Sequence, residues 1–202
     1  MNRPLTLFRP ALMTAAALLA VLLAGAAPAF AQDAQPELRA LPSVDVPGYM
    51  GTWYQVAWFP NRFQKQCVSD TSARYRRLDS GEIEVQNRCR LADGGIDDIT
   101  GIARTDGSRL QGDTLMPAQL RVSFMPPLLR WLPIWGRYWV IDRADDGRFA
   151  VVSEPSRDYL WVLARAPSLS AADRTAIRSM LQRQGFDLSR WQDHPHTRPA
   201  QP

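Results

Sequence analysis

The sequence predicts an all-β fold: an eight-stranded antiparallel up-and-down β-barrel with one C-terminal α-helix packed against its outside. Three observations carry this expectation. From Trp53 onward, short segments rich in β-branched and aromatic residues alternate with turn clusters such as Ala92-Asp93-Gly94-Gly95, Asp106-Gly107-Ser108 and Asp145-Asp146-Gly147. One segment, beginning at Ser170, combines helical periodicity with complete start and stop signals. The chain of 202 residues falls to about 170 once a leader is set aside, the size of a single domain that buries a continuous core or encloses a modest cavity. Eight strands with short connections can close into a barrel, which removes the sheet edges and leaves an interior just wide enough for one small ligand.

The leader comes first. Met1 to Arg9 carries Arg3 and Arg9, residues 11–27 are almost wholly apolar, and Ala29-Phe30-Ala31 places small residues at both positions a signal peptidase reads. Residues 1–31 therefore read as a signal peptide cleaved after Ala31. The competing reading is a retained membrane anchor, since the apolar run approaches the roughly 18 residues that span a bilayer. No cysteine lies near the cleavage point to accept a lipid. The expectation is an exported, periplasmic protein that is not lipid-anchored. Residues 32–45 read as an N-terminal extension, 46–191 as the barrel domain, and 192–202, rich in Pro and His, as a disordered tail.

Strands are expected near 52–60, 69–78, 82–90, 97–105, 118–125, 137–143, 148–154 and 159–165. The helix has Ser170 as N-cap with Asp173 three residues on, an apolar stripe of Ala172, Ala176, Ile177, Met180 and Leu181, and Gly185 at the left-handed position past its end. Arg174, Arg178 and Gln182 occupy the other face, so the stripe should lie on the barrel wall. Leu188 and Trp191 beyond it suggest a short added strand at the barrel edge.

Charge excludes one class of partner. The net +4 falls to about +2 when Arg3 and Arg9 leave, 22 basic residues then facing 20 acidic ones, and this balance does not favour nucleic acid. Lys65 is the sole lysine, and the cluster Arg74, Arg76, Arg77 reads as a solvated strand face rather than a phosphate site. Cys67 and Cys89 flank the hairpin built on Asp79-Ser80-Gly81, and an even count in an oxidising compartment favours a disulfide between them. Such a bridge would close about 20 residues and stabilise by roughly 3 kcal/mol. Two buried thiols are the alternative, and no histidine lies near them in sequence to support catalysis.

Strand parity indicates what faces inward. Thr71, Ala73 and Tyr75 share one side of the second strand, Ile83, Val85 and Asn87 one side of the third, and Leu120, Val122 and Phe124 one side of the fifth. In the first strand, Trp53, Ala57 and Phe59 on one side and Tyr54, Val56 and Trp58 on the other are both apolar, so both faces need cover. Parity does not separate a packed interior from an open pocket, because a filled barrel shows the same pattern.

Gly51-Thr52-Trp53-Tyr54 at the start, Tyr138-Trp139-Val140-Ile141-Asp142 in the middle and Leu160-Trp161-Val162-Leu163-Ala164-Arg165 before the helix resemble the lipocalins, in their bacterial, apolipoprotein D-like branch. The resemblance runs from about Val46 to Trp191. It implies an eight-stranded calyx that carries lipids or other apolar molecules, with Trp53 plugging the closed end and Arg165 lying over it. A guanidinium stacked on an indole gains roughly 0.5–2 kcal/mol, and its donors can cap nearby carbonyls. The family's threonine-aspartate-tyrosine signature is only partly kept, as Asp142-Arg143-Ala144. The expected pocket residues are Ala73, Tyr75, Val85, Val122, Phe124 and, from its place in the motif, Trp139.

Between the fifth and sixth strands, residues 124–135 are strongly apolar where a surface loop should be polar. Leu128, Leu129, Trp131 and Trp135 would guard the pocket, meet a membrane with Arg130 and Arg137 facing lipid phosphates, fold back on the barrel, or form a dimer contact. No inward carboxylate pair suggests an enzyme. His194 and His196, with a Pro between them and no third ligand, make a weak metal site. The expected function is non-enzymatic carriage of a fatty acid, lysophospholipid or similar lipid by a monomer or dimer, needing no cofactor. The alternative is an interaction module that docks a protein or membrane partner through residues 125–135.

Overall fold

The computed structural model describes residues 36–197, so the expected leader and the last five residues lie outside the described chain. In order, the elements are β1 (Val44–Asp45), the one-turn α1 (Val46–Tyr49), β2 (Gly51–Trp58), β3 (Ser69–Arg77), β4 (Ile83–Arg90), β5 (Ile96–Thr105), β6 (Arg109–Gln111), β7 (Thr114–Met116), β8 (Gln119–Ser123), β9 (Gly136–Arg143), β10 (Phe149–Ser153), β11 (Leu160–Ala164), α2 (Ala171–Arg183) and β12 (Gln192–Asp193). Eight of these strands pair antiparallel in the order β2-β3-β4-β5-β8-β9-β10-β11, and β11 pairs back onto β2 to close the barrel. They are the eight expected strands, each with its ends within two residues of expectation.

Strand direction sorts the connections into two ends. The turns at 78–82 and 144–148, the β6–β7 hairpin and the start of β2 lie at one end, where a small β1-β7-β6 sheet contributes buried Val44 and Leu115 to the interior. Loops 59–68, 91–95, 124–135 and 154–159 lie at the other, the mouth. The 59–68 loop is tied to β4 by a Cys67–Cys89 disulfide, with a Cα–Cα distance of 5.5 Å.

Two apolar layers result. One fills the barrel interior, including Trp53, Ala73, Tyr75, Val85, Val140, Val152 and Leu163. The other lies between the outer wall and α2, joining Phe59, Ile141, Val151, Leu160 and Val162 to Ile177 and Leu181. Ser170 caps α2 by accepting from the Asp173 N–H at 3.0 Å, and Gly185 takes a φ of +77° beyond its end. The stripe α2 buries is narrower than expected: Asp173, Ile177 and Leu181 are buried, whereas Ala172 and Ala176 face outward. Asp173 is held by Arg148 of the barrel turn at 2.6 Å, an ion pair that pins the start of the helix to the wall.

The structure departs from expectation in three further places. In β2, Gln55 pairs with Leu163 and Ala57 with Val162, so Val56 is an extra residue opposite β11. A bulge of one residue reverses the faces beyond it, and this moves Ala57 and Phe59 from the side of Trp53 to the helix side. Residues 38–45 are more than an extension: Leu38 and Val44 are buried, and the Leu41 N–H donates to the Val140 carbonyl at 2.8 Å. At the other terminus, residues 192–197 are packed rather than a loose tail. Gln192 and Asp193 pair with Trp58 and Ala57, and the His194 N–H donates to the Val56 carbonyl at 3.0 Å. This segment fills the gap where β3 pairs only with residues 51–54 of β2.

The candidate ligand site

The closed end is built around Trp53, which is fully buried and donates its indole N–H to the Tyr49 carbonyl at 2.8 Å. The Arg165 guanidinium lies over the indole with 3.7 Å to the ring centroid. Its donors reach the carbonyls of Thr52, Gly48 and Met50, each at 2.8 Å. Strand ends and a one-turn helix leave carbonyls without intrachain partners, and one planar fork satisfies three of them.

On the inner side of Trp53, three phenols meet. The Tyr138 hydroxyl lies 2.8 Å from that of Tyr49 and 2.9 Å from that of Tyr75. Burial pushes the Tyr75 phenol up to about 12, and burial likewise raises Tyr49 and Tyr138 far above the ordinary phenol value. All three are therefore neutral at any physiological pH. Toward the mouth the lining passes through Ala73, Val85, Val140, Val152 and Leu163 to the partly accessible Val122, Phe124 and Trp161. Ile99 sits opposite Asn87 on the inner face and is 48% exposed, so apolar surface is reachable from outside at this end. The Phe124 ring lies where a side chain at Gly101 would project, 2.6 Å from an ideal Cβ there, so only glycine at 101 admits that ring.

Polar groups enter the lining at one level. Gln55, 2% exposed, follows Trp53 on the inner face of β2 opposite Leu163. Gln64 of the mouth loop donates to Gln55 Oε1 at 2.9 Å and accepts from the Trp161 indole at 2.8 Å. Thr71, 4% exposed, lies at the β3 register shift between Ser69 and Ser72, its N–H donating to His194 Nε2 at 3.3 Å. Among the described residues, the buried carboxylate is Asp173, which lies under α2 rather than in the calyx.

A family model described as a lipocalin-like domain matches residues 44–196. This chain belongs to the lipocalin family. It is 32% identical to temperature-induced lipocalin-1 of Arabidopsis thaliana over 163 residues, covering 80% of this chain and 84% of the relative. It is 32% identical to the outer membrane lipoprotein Blc of Escherichia coli K12 over 153 residues, covering 75% and 80%. Apolipoprotein D of Mus musculus is 29% identical over 154 residues, covering 72% and 74%. Among solved structures, insecticyanin from the tobacco hornworm Manduca sexta superposes with a TM-score of 0.62 at 15% identity, covering 81% of this chain and 87% of its own. Lobster apocrustacyanin A1 gives 0.57 at 13%, covering 75% and 79%. Both likenesses speak to the fold. Membership supports binding of a small hydrophobic ligand, and members are in general binding or transport proteins rather than enzymes.

Of the six pocket residues expected from sequence, the lipocalin interior brings together Ala73, Tyr75, Val85, Val122 and Phe124. Trp139 is not among them. It packs in the layer under α2, and its neighbour Tyr138 faces inward instead. Alternation from Val140, which is interior, requires this, and Ile141 is a second bulged residue, since Asp142 pairs with Val151 but Val140 with Val152. Parity at Val140 alone would have found it. The signal for Gln55 was also present, as a lone polar residue among apolar neighbours on the side of Trp53.

The apolar loop divides. Leu128 and Trp131 are 83% and 78% exposed, joined by Ile134, whereas Leu129 is only marginally so. Trp135 folds back onto the outer wall, its ring 4.9 Å from the Arg104 guanidinium and 5.3 Å from that of Arg121. The loop is held in shape by Arg130, which donates to the Met125 carbonyl at 3.1 Å. Arg76 and Arg77 are exposed and paired with Glu84 and Asp113. Among the described residues no group of three or more His, Cys, Asp or Glu is placed to hold a metal.

Proposed function

We propose that this lipocalin is an exported, periplasmic carrier that binds a fatty acid, a lysophospholipid or a similar lipid in its calyx and serves envelope maintenance, including under stress. The observation that carries the reading is the inner wall itself: a largely apolar lining, free of buried charge, that becomes accessible at the mouth through Val122, Phe124, Trp161 and Ile99. Each acyl methylene moved from water into such a lining contributes roughly 0.8 kcal/mol, so useful affinity needs no ionic contact. The relatedness to a protein named as an outer membrane lipoprotein favours an envelope setting, and the sequence signals for export agree with it.

Native mass spectrometry of protein purified from its periplasm tests the carrier directly. A co-purifying lipid of acyl-chain mass is the expected result. An empty barrel whose tryptophan fluorescence does not respond to fatty acids or lysophospholipids would refute it. One feature favours a second role beside carriage: Leu128 and Trp131 stand exposed at the same end as the mouth. An apolar tip of this kind suits contact with a membrane surface, from which a lipid would pass into the calyx.

A further inference from the structure

The protein contains buried hydrogen-bonding groups that the fold leaves unused. Gln55 Nε2 and Thr71 Oγ1 are both buried and have no hydrogen-bond partner among the described residues. A buried donor without an acceptor costs roughly 1–3 kcal/mol, and such groups are rare enough in native structures to require a reason. Gln55 lies on the inner face of β2, between the tyrosines of the floor and the mouth, whereas Thr71 lies at the β3 register shift where β3 parts from β2, its N–H donating to His194 Nε2. Beside Gln55, the Gln64 side chain reaches in from the mouth loop and places its amide between the Trp161 indole N–H and Gln55 Oε1. Asn61 Nδ2 completes the contacts of Gln64 at 3.4 Å.

We infer that this level of the calyx is a head-group subsite for an uncharged oxygen function, an ester or a hydroxyl, and that Gln64 fills it as a stand-in when no ligand is present. The inference rests on the carrier reading and narrows it. An ester or hydroxyl oxygen replacing the Gln64 amide would accept from Trp161 Nε1 and from the unused Gln55 Nε2. A carboxylate at the same level would meet no cation. The described Arg and Lys side chains of the mouth loops, Arg62, Lys65, Arg130 and Arg157, belong to loops 59–68, 124–135 and 154–159 rather than to the inner wall, Arg157 donating to the Gln184 carbonyl at the end of α2, and burial lowers His194 to about 4. Burying an anion without a counter-charge is far costlier than burying an ester, so the wall discriminates by what it lacks.

The test compares three ligands of one chain length, monolaurin, dodecanol and dodecanoate, each displacing the neutral dye N-phenyl-1-naphthylamine from the full-length protein at pH 8. Monolaurin or dodecanol should bind at least about tenfold more tightly than dodecanoate, and which of the two is tighter assigns ester or hydroxyl. Gln55→Leu should weaken the preferred ligand about tenfold more than it weakens the dye. Gln64→Ala, in the mouth loop, should strengthen it and provides a reading that does not depend on the core variant folding. If none of the three displaces the dye, the carrier reading itself fails. If dodecanoate binds as tightly as the neutral pair, or Gln64→Ala leaves the preferred ligand's affinity unchanged, carriage stands and the subsite assignment is overturned.

Discussion

Arg165 shows how much one side chain can do in a small barrel. It stacks on Trp53 and satisfies three carbonyls at the point where β2, α1 and the residues after β11 converge. Arg165→Ala should destabilise the protein by about 3 kcal/mol in urea denaturation, since the cation–π contact and charge-assisted hydrogen bonds are lost together. Arg165→Lys should recover only part of this, because an ammonium cannot span three acceptors as a planar fork does. His194 sets a different kind of sensitivity. Burial, aided by the neighbouring His196, lowers it from 6.5 to about 4, and its Nε2 accepts the Thr71 N–H at 3.3 Å. The unfolded chain takes up this proton near pH 6.5 and the folded chain resists until about 4. Stability should therefore be constant above 6.5, fall as pH drops from 6.5 to about 4, and gain no further loss from this group below that. Urea midpoints at pH 7.5, 5.5 and 4.5 should trace that fall, and His194→Gln should flatten it. Asp70 acts in a lower window. Burial would raise its carboxyl, but hydrogen bonds from Arg90, Thr197 and Ser69 outweigh burial and hold it well below the usual range. Its contribution is present above the ordinary aspartate value of 3.8 and is lost only in stronger acid.

At the scale of elements, α2 and the terminal segment are coverings of the barrel rather than parts of its wall. Helix α2 buries Ile177 and Leu181 completely against Phe59, Leu160 and Val162. Ile177→Ala should cost about 3 kcal/mol in the same denaturation experiment, the range for a large-to-small change at a fully packed site. The helix was legible in sequence because its cap, period and terminating glycine are local signals. The limits of parity were not, because a bulge is set by pairing. Val56 and Ile141 each add one residue to one strand, and from that point every inward residue becomes outward. The motif placed Trp139 in the pocket, yet alternation from Val140 puts it under α2, with its indole N–H finding no acceptor among the described residues. Residues 192–197 misled for another reason: Pro and His content reads as loose chain, and only the space left where β3 parts from β2 gives them a partner.

For the whole molecule, the calyx and its mouth make one functional surface. Leu128 and Trp131 stand exposed on a loop that Arg130 and Trp135 brace against the outer wall, so the apolar tip is presented rather than buried. Leu128→Ser with Trp131→Ser should reduce co-sedimentation with anionic liposomes by about tenfold or more, since the exposed apolar area carries that contact. Affinity for lipid monomers in solution should stay unchanged. Equal sedimentation of variant and wild type would sink the membrane role and leave the loop to a protein partner.

The architecture was legible before folding: eight strands, one capped helix, the Cys67–Cys89 pairing and the closing pair Trp53 and Arg165 all rest on local patterns or on motifs long enough to be recognised. Five of the six expected residues face the barrel interior, Ala73 and Tyr75 among them because alternation holds along β3 beyond its register shift between Ser69 and Ser72. Where alternation breaks, which residues fill the seam between β2 and β3, and that Gln55, Gln64 and Trp161 meet are set by the closed fold. These three belong to two strands and one loop, and the Gln64–Trp161 contact spans 97 residues of sequence. Hydrogen bonds between such groups, and the donor left without one, exist only once the barrel has closed, so no window of sequence contains them.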